Sequence, residues 1–230
     1  MNLRNFIPKN FKIQFQVLKR FWLDRNLVFS KESELKVDFN FSISTVQEMK
    51  KGVFFENKVH NISNGSKEIE NIIINPNEIF SFWKIVGNPN SKNNFRTGRN
   101  IIKGKISEEI GGGLCQLSSI IYITALKTNL EIVERFNHSV DIYKEEERFT
   151  PLGADATIVF GYKDLRIKNN YLFPIKFSFE IIENQIVCKL LSNEKIDEFD
   201  LDFIRNYSEN EINVTTTKNG VYFCESVYKL

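Results

Sequence analysis

Residues 111–129, GGGLCQLSSIIYITALKTN, decide how the chain reads. Three consecutive glycines run into a cysteine, and the chain then turns apolar. Glycine permits positive φ and close backbone approach, so the triplet predicts a sharp turn. The residues after it predict a helix. Leu117, Ile121, Leu126 and their neighbours give it a broad apolar stripe, and Asn129 gives it a stop.

Upstream of this central helix, residues 10–25 and 56–74 read as helices, the second with a weak point at Asn64–Gly65. Residues 35–44, LKVDFNFSIS, alternate like a strand. NPNE (75–78) is a turn in which Asn77 tolerates positive φ. IFSFWKIVG (79–87) is a buried strand or an aromatic-rich loop, and NPNSKNN (88–94) is a surface loop. Downstream, residues 130–143, 156–169, 172–182 and 185–192 read as strands. Short turns at Asn169–Asn170 and Glu183–Asn184 make the last three a meander, and Lys218–Gly220 centres a final hairpin. The expected class is α+β: N-terminal helices and a central helix opened by a Gly-rich turn, packed on an antiparallel β-meander. We expect a basic N-terminal helical segment (1–50), an α+β domain (51–192) and a C-terminal β-hairpin extension (193–230).

The 230 residues suffice for one sizeable core, and 42% hydrophobic and 26% charged residues are ordinary for a globular chain. A net charge of +2 gives no argument for nucleic acid. Charge is unevenly placed, however. Residues 1–37 carry eight lysines and arginines against three acids, and Phe11, Phe15, Leu18, Phe21 and Trp22 fall there at helical spacing. Such a helix either packs its aromatic face on the domain, the default expectation, or lies on an anionic membrane, giving residues 1–30 a peripheral contact. No apolar run of about 18 residues spans a membrane, and the first 25 residues lack the pattern of an export signal. The expected location is therefore cytoplasmic, at most membrane-peripheral. Three cysteines without metal-type spacing and two histidines, His60 and His138, suggest neither a disulfide scaffold nor a metal site, and no cofactor is expected.

A Gly-rich turn entering a helix presents backbone N–H groups at the positive end of the helix dipole. A cysteine in the first turn there has its thiolate stabilised. The Leu114, Cys115 or Gln116 amides could also hold the oxyanion of a tetrahedral intermediate. A phosphate loop would need Lys-Ser/Thr where Cys115–Gln116 stand. His138, 23 residues after Cys115, is the candidate base, and Asp155, 17 further on, its candidate orienter; Asp141 and Glu134 are alternatives. Gly112, Gly113, Leu114, Gln116, Ser118, Ser119, Trp83 and Arg99 are candidates for oxyanion or substrate binding. Each has a structural alternative. A lone cysteine before an apolar helix is commonly a buried small side chain, Asp155 could cap a turn, and Phe80, Phe82 and Trp83 could be core. Cys188 and Cys224 read as structural, and His60 as a surface or packing residue.

NPNEIFSFWKIVG, GRNIIKGK…IGGGLCQLSS, IVERFNHS and GADATIVFGYKDLRIKN, in that order across residues 52–182, resemble the VanW family, bacterial proteins named for their occurrence in vancomycin-resistance gene sets. Asn77 stands where that family usually has glycine. The resemblance implies a peptidoglycan connection, and an L,D-transpeptidase-like activity that joins stem peptides through a thioester on Cys115, with His138 as base and Asp155 orienting it. The HGC-like motif of YkuD-type L,D-transpeptidases is absent. The alternatives are a cysteine peptidase or amidase using the same site, a non-catalytic module binding a peptidoglycan precursor, and an accessory partner in glycopeptide resistance.

Overall fold

The computed structural model describes residues 8–33, 37–90, 94–102, 105–141 and 148–230. The fold is α+β, with antiparallel pairing between all its named strands. Helix α1 (Lys9–Leu23) leads to strand β1 (Phe41–Glu48) and helix α2 (Phe55–Glu70). Strand β2 (Ile79–Ser81) runs straight into the short helix α3 (Phe82–Val86), whose first turn is capped by the Ser81 hydroxyl accepting from Lys84 N–H. The expected strand-or-loop at 79–87 is thus half strand and half helix.

A hairpin, β3 (Thr97–Ile102) and β4 (Lys105–Ile110), delivers the chain to the glycines. Helix α4 (Leu114–Leu126) follows. It is buried on all sides rather than along one stripe, because α2, β1 and β8 (Gln185–Ser192) all pack on it. Gly65 does not interrupt α2. It lets α2 approach α4 closely, since a Cβ there would stand 2.9 Å from Leu117 Cδ2.

The sheet beneath α2 and α4 has the order β1-β8-β7, with β7 spanning Ile175–Ile182. Its core face alternates as period-2 burial requires: Ile43 from β1, Ile175 and Phe177 from β7, Ile186, Cys188 and Leu190 from β8. The stretch 156–169 contributes only β6 (Arg166–Lys168). It pairs with β2 and with β5 (Glu131–Glu134), so the third strand beside the β7–β8 hairpin is β1. Residues 156–165 instead form a turn in which Val159 and Lys163 pair across Gly161, at φ 82°. The end of the chain is a three-stranded sheet, β9 (Leu201–Tyr207), β10 (Glu211–Lys218) and β11 (Val221–Lys229), one strand more than the expected hairpin. Asn77 takes φ 66°, as its turn requires.

Helix α1 departs most from expectation. Arg20 grips Glu134 with two bonds (2.9 and 2.6 Å) and donates to the Gly161 and Tyr162 carbonyls. Asp24, just past the helix, meets Arg166 with two more (2.7 and 2.9 Å). These pairs fix the rotation of α1 so that Ile13, Gln16 and Arg20 face the domain. The aromatic face expected to pack on the domain points outward instead.

Candidate active site

The three glycines do different things. Gly111 and Gly113 hold φ of 89° and 102°, conformations that other L-residues rarely adopt. Gly112 lies against the backbone of β3, where a Cβ would stand 2.5 Å from the Gly98 carbonyl carbon. Asn61 of α2 secures this contact by donating to the Gly112 and Arg96 carbonyls and accepting from Arg96 N–H. Gly112→Ala is therefore expected to destabilise the protein by about 2–3 kcal/mol, an overpacking penalty set by backbone that cannot yield. Urea unfolding of the variant checks this, and wild-type stability would remove the close approach as the reason for that glycine.

Cys115 is the second residue of α4 and is partly exposed. The Leu114 and Gln116 amides are taken up by the Gly111 and Gly113 carbonyls; the Cys115 N–H takes no part in those bonds. Its thiol lies 3.9 Å from the Ile158 carbonyl and 4.0 Å from Thr157 Oγ1, and near enough to His138 for the two groups to shift each other's ionisation. Burial alone would raise the thiol pKa. The hydrogen bond and charge of His138, with help from Ile158 and Thr157, outweigh it and hold Cys115 below its ordinary value.

His138 is fixed by Asp155. One carboxylate oxygen accepts from the His138 backbone N–H (2.7 Å) and from its Nδ1 (2.6 Å), which leaves Nε2 for the thiol. Desolvation disfavours the imidazolium, yet the bonds to Asp155 and Cys115 raise its pKa to about 10. Asp155 is buried, which works against its charge. Even so, His138, Arg135 and Tyr228 hold its pKa at about 2. The alternative orienters are engaged elsewhere: Glu134 with Arg20, and Asp141 with Arg148.

Three contributors were not found in the sequence. Arg135 donates to the Asp155 side chain (3.1 Å), to the Asp155 and Gly153 carbonyls, and to Ser226 Oγ. Its signal was legible, as an arginine within the apolar strand-like run three residues before His138. Tyr228, from the far end of β11, donates its hydroxyl to Asp155 and accepts from Gly153 N–H. Lys58 of α2 lies over Gly113. Burial and the nearby charge of Arg99 lower its pKa to about 8.

The remaining candidates occupy other places. Ser118 and Ser119 are fully buried. Ser118 Oγ donates to the Ala156 carbonyl (2.6 Å), and Ser119 Oγ accepts from Ala156 N–H (2.9 Å) and donates to the Cys115 carbonyl. Burial denies them a substrate; they clamp the segment carrying Asp155, Thr157 and Ile158 onto α4. Gln116 is buried and donates to the Glu48 carbonyl at the end of β1. Leu114 is core, packed beneath Gly65 and Gly111. Trp83 is anchored by Nε1 on the Lys163 carbonyl and packs edge-on against Phe82 and Phe160. Arg99 is exposed on β3 beside Gly112. His60 pairs with the Asn94 carbonyl (2.8 Å), a packing role. Cys188 is buried, with its thiol pushed up to about 12. A small, partly open hollow of about 30 Å³ adjoins the site, walled in part by His138, Asp155, Arg148, Leu152 and Tyr228.

Over 142 residues the chain is 33% identical to the uncharacterized protein YoaR of Bacillus subtilis (strain 168), a match covering 62% of this chain and 45% of that protein. Over 118 residues it is 34% identical to the vancomycin B-type resistance protein VanW of Enterococcus faecalis (strain ATCC 700802 / V583), covering 51% and 43% respectively. The chain thus matches less than half the length of these curated relatives. No solved structure matches it significantly. The family model described as VanW like protein matches residues 57–191, which include Cys115, His138 and Asp155 but neither β1 nor the β11 residues Ser226 and Tyr228, and the chain belongs to that family.

Proposed function

We propose that the protein is a cysteine acyl-transferase of the L,D-transpeptidase type, acting on a peptidoglycan stem peptide. The observation that carries this reading is the Cys115–His138–Asp155 array, in which the thiol of a half-buried cysteine is depressed by a histidine that a buried carboxylate orients. The similarity to a vancomycin resistance protein supports the cell-wall substrate.

The Cys115 thiolate attacks the carbonyl carbon of the peptide bond before the terminal D-alanine. A C–S bond forms, and the carbonyl electrons move to oxygen, beside the Cys115 N–H at the start of α4. The His138 imidazolium gives its proton to the departing D-alanine nitrogen as the C–N bond breaks, which leaves a thioester and a neutral histidine. An acceptor amine then attacks the thioester, His138 takes its proton, and the C–S bond breaks to restore the thiolate. Lys58 and Arg99, cations flanking the glycine turn, suit the D-alanine carboxylate.

Incubation of wild type and Cys115→Ala with tetrapeptide and pentapeptide muropeptides tests the reading. The expected result is an acyl adduct on wild type alone, by intact mass, with D-alanine and cross-linked dimers in solution. Peptide binding by both proteins with neither adduct nor product would replace catalysis with recognition.

A further inference from the structure

We propose that the outward face of α1 docks on an anionic lipid bilayer, lying in its interfacial plane. Phe11, Phe15, Leu18 and Trp22 recur at intervals of four, three and four residues and so form one stripe. Their exposure is 64%, 66%, 54% and 60%, unusual for four large apolar side chains on one short helix. Phe21 and Leu23 extend the apolar surface at the C-terminal end, and exposed Val159 and Tyr162 flank Gly161, on which the inner side of α1 rests.

The orientation is enforced, not incidental. The ion pairs of Arg20 with Glu134 and of Asp24 with Arg166 hold the Ile13, Gln16 and Arg20 side of the helix against the domain, and that drives the aromatic stripe into solvent. A helix that served only to cover the core would turn the stripe inward.

Charge selects the occupant. Helix α1 contains no Asp or Glu. Lys12 and Lys19, seven residues apart, border one side of the stripe, and Arg25 and Lys31 follow as exposed cations. An apolar stripe rimmed by lysines, whose stems can extend to lipid phosphates, is the pattern of an interfacial helix. At 15 residues, about 22 Å, α1 is too short to span a bilayer and long enough to lie along one. None of the described helices is long and apolar enough to cross. This surface does not depend on the chemistry of Cys115. The segment bearing Val159 and Tyr162 also supplies Thr157 and Ile158 to the thiol, so docking would set the site close to the lipid surface.

The test is sedimentation of the full chain with phosphatidylcholine vesicles, with and without phosphatidylglycerol, while tryptophan emission is followed. Wild type should pellet with the anionic vesicles, be released by salt, and show a blue shift that Trp22→Phe removes. Phe11→Ser/Phe15→Ser/Trp22→Ser should weaken binding about tenfold or more, and Lys12→Glu/Lys19→Glu should abolish the preference for anionic lipid. Phe11, Phe15, Trp22 and Lys19 are exposed and Lys12 is half-buried, so thermal unfolding of the triple-serine variant should be unchanged and that of the lysine variant should shift little. Wild type that stays in the supernatant with both vesicles overturns the proposal, as does a triple-serine variant that binds like wild type. Absence of lipid binding together with a dimer that the triple variant dissociates would assign the face to a second copy of the chain.

Discussion

Asp155→Ala should cost about 3–5 kcal/mol of stability, the usual penalty for removing one member of a buried charge network. The carboxylate is shared by the His138 ring and backbone, the Arg135 guanidinium and the Tyr228 hydroxyl, so its removal strands a buried arginine and a buried hydroxyl together. The same change should undo the site. Without Asp155, the desolvation that opposes a charged His138 is no longer outweighed, the imidazolium fades, and burial pushes the Cys115 thiol upward. Alkylation of Cys115 by iodoacetamide at neutral pH, read on its own peptide, should slow about tenfold or more. Asp155→Asn separates the two effects. It keeps the shape and part of the hydrogen bonding, so it should recover some stability while Cys115 stays slow. Unchanged alkylation in both variants, once shown to be folded, would mean that the thiol owes nothing to the histidine–aspartate pair.

That Cys115, His138 and Asp155 would come together was legible from the sequence because it lies in residue type and order. A glycine turn, a cysteine at a helix start, one downstream histidine and one aspartate before the next apolar run are local signals. The geometry places Asp155, rather than Asp141 or Glu134, on His138. What was not legible is whatever depends on burial or on distant partners. Serines after such a cysteine read as polar and available; Ser118 and Ser119 are instead enclosed by the chain segment they clamp. Tyr228 is 73 residues from the carboxylate it supports, and no local pattern marks it. The same holds for α1. Its amphipathic period was plain, but which face turns inward is decided by Glu134, 114 residues from Arg20. The stretch 156–169 alternates well enough for a strand, yet Gly161 at positive φ folds it into a turn and leaves only Arg166–Lys168 to pair.

The Cys115–His138 pair should also be visible in the pH dependence of stability, where Cys115→Ala is expected to steepen the curve. Stability changes with pH in proportion to the difference in bound protons between unfolded and folded states. A raised His138 stabilises fully below 6.5, and that contribution is lost as pH rises toward about 10. A lowered Cys115 does the reverse: its contribution is gained as pH rises above its folded value and is complete above 9.0. Once Cys115 has ionised, the folded pair is imidazolium and thiolate, holding one proton. The unfolded pair is neutral imidazole and thiol, and also holds one. From the pH at which folded Cys115 has ionised, and above 6.5, the two slopes cancel up to pH 9.0, so the pair adds no pH dependence there. In Cys115→Ala the histidine, still held by Asp155, keeps a proton that the unfolded chain has lost. Above 6.5, and once the folded wild-type thiol has ionised, the variant should therefore lose stability relative to wild type by about 1.4 kcal/mol per pH unit, until its own histidine titrates. Urea unfolding of both proteins across this range gives the difference directly, with all shared groups cancelling. Parallel curves would show that the folded protein holds no thiolate–imidazolium pair, and that pair would have to be abandoned.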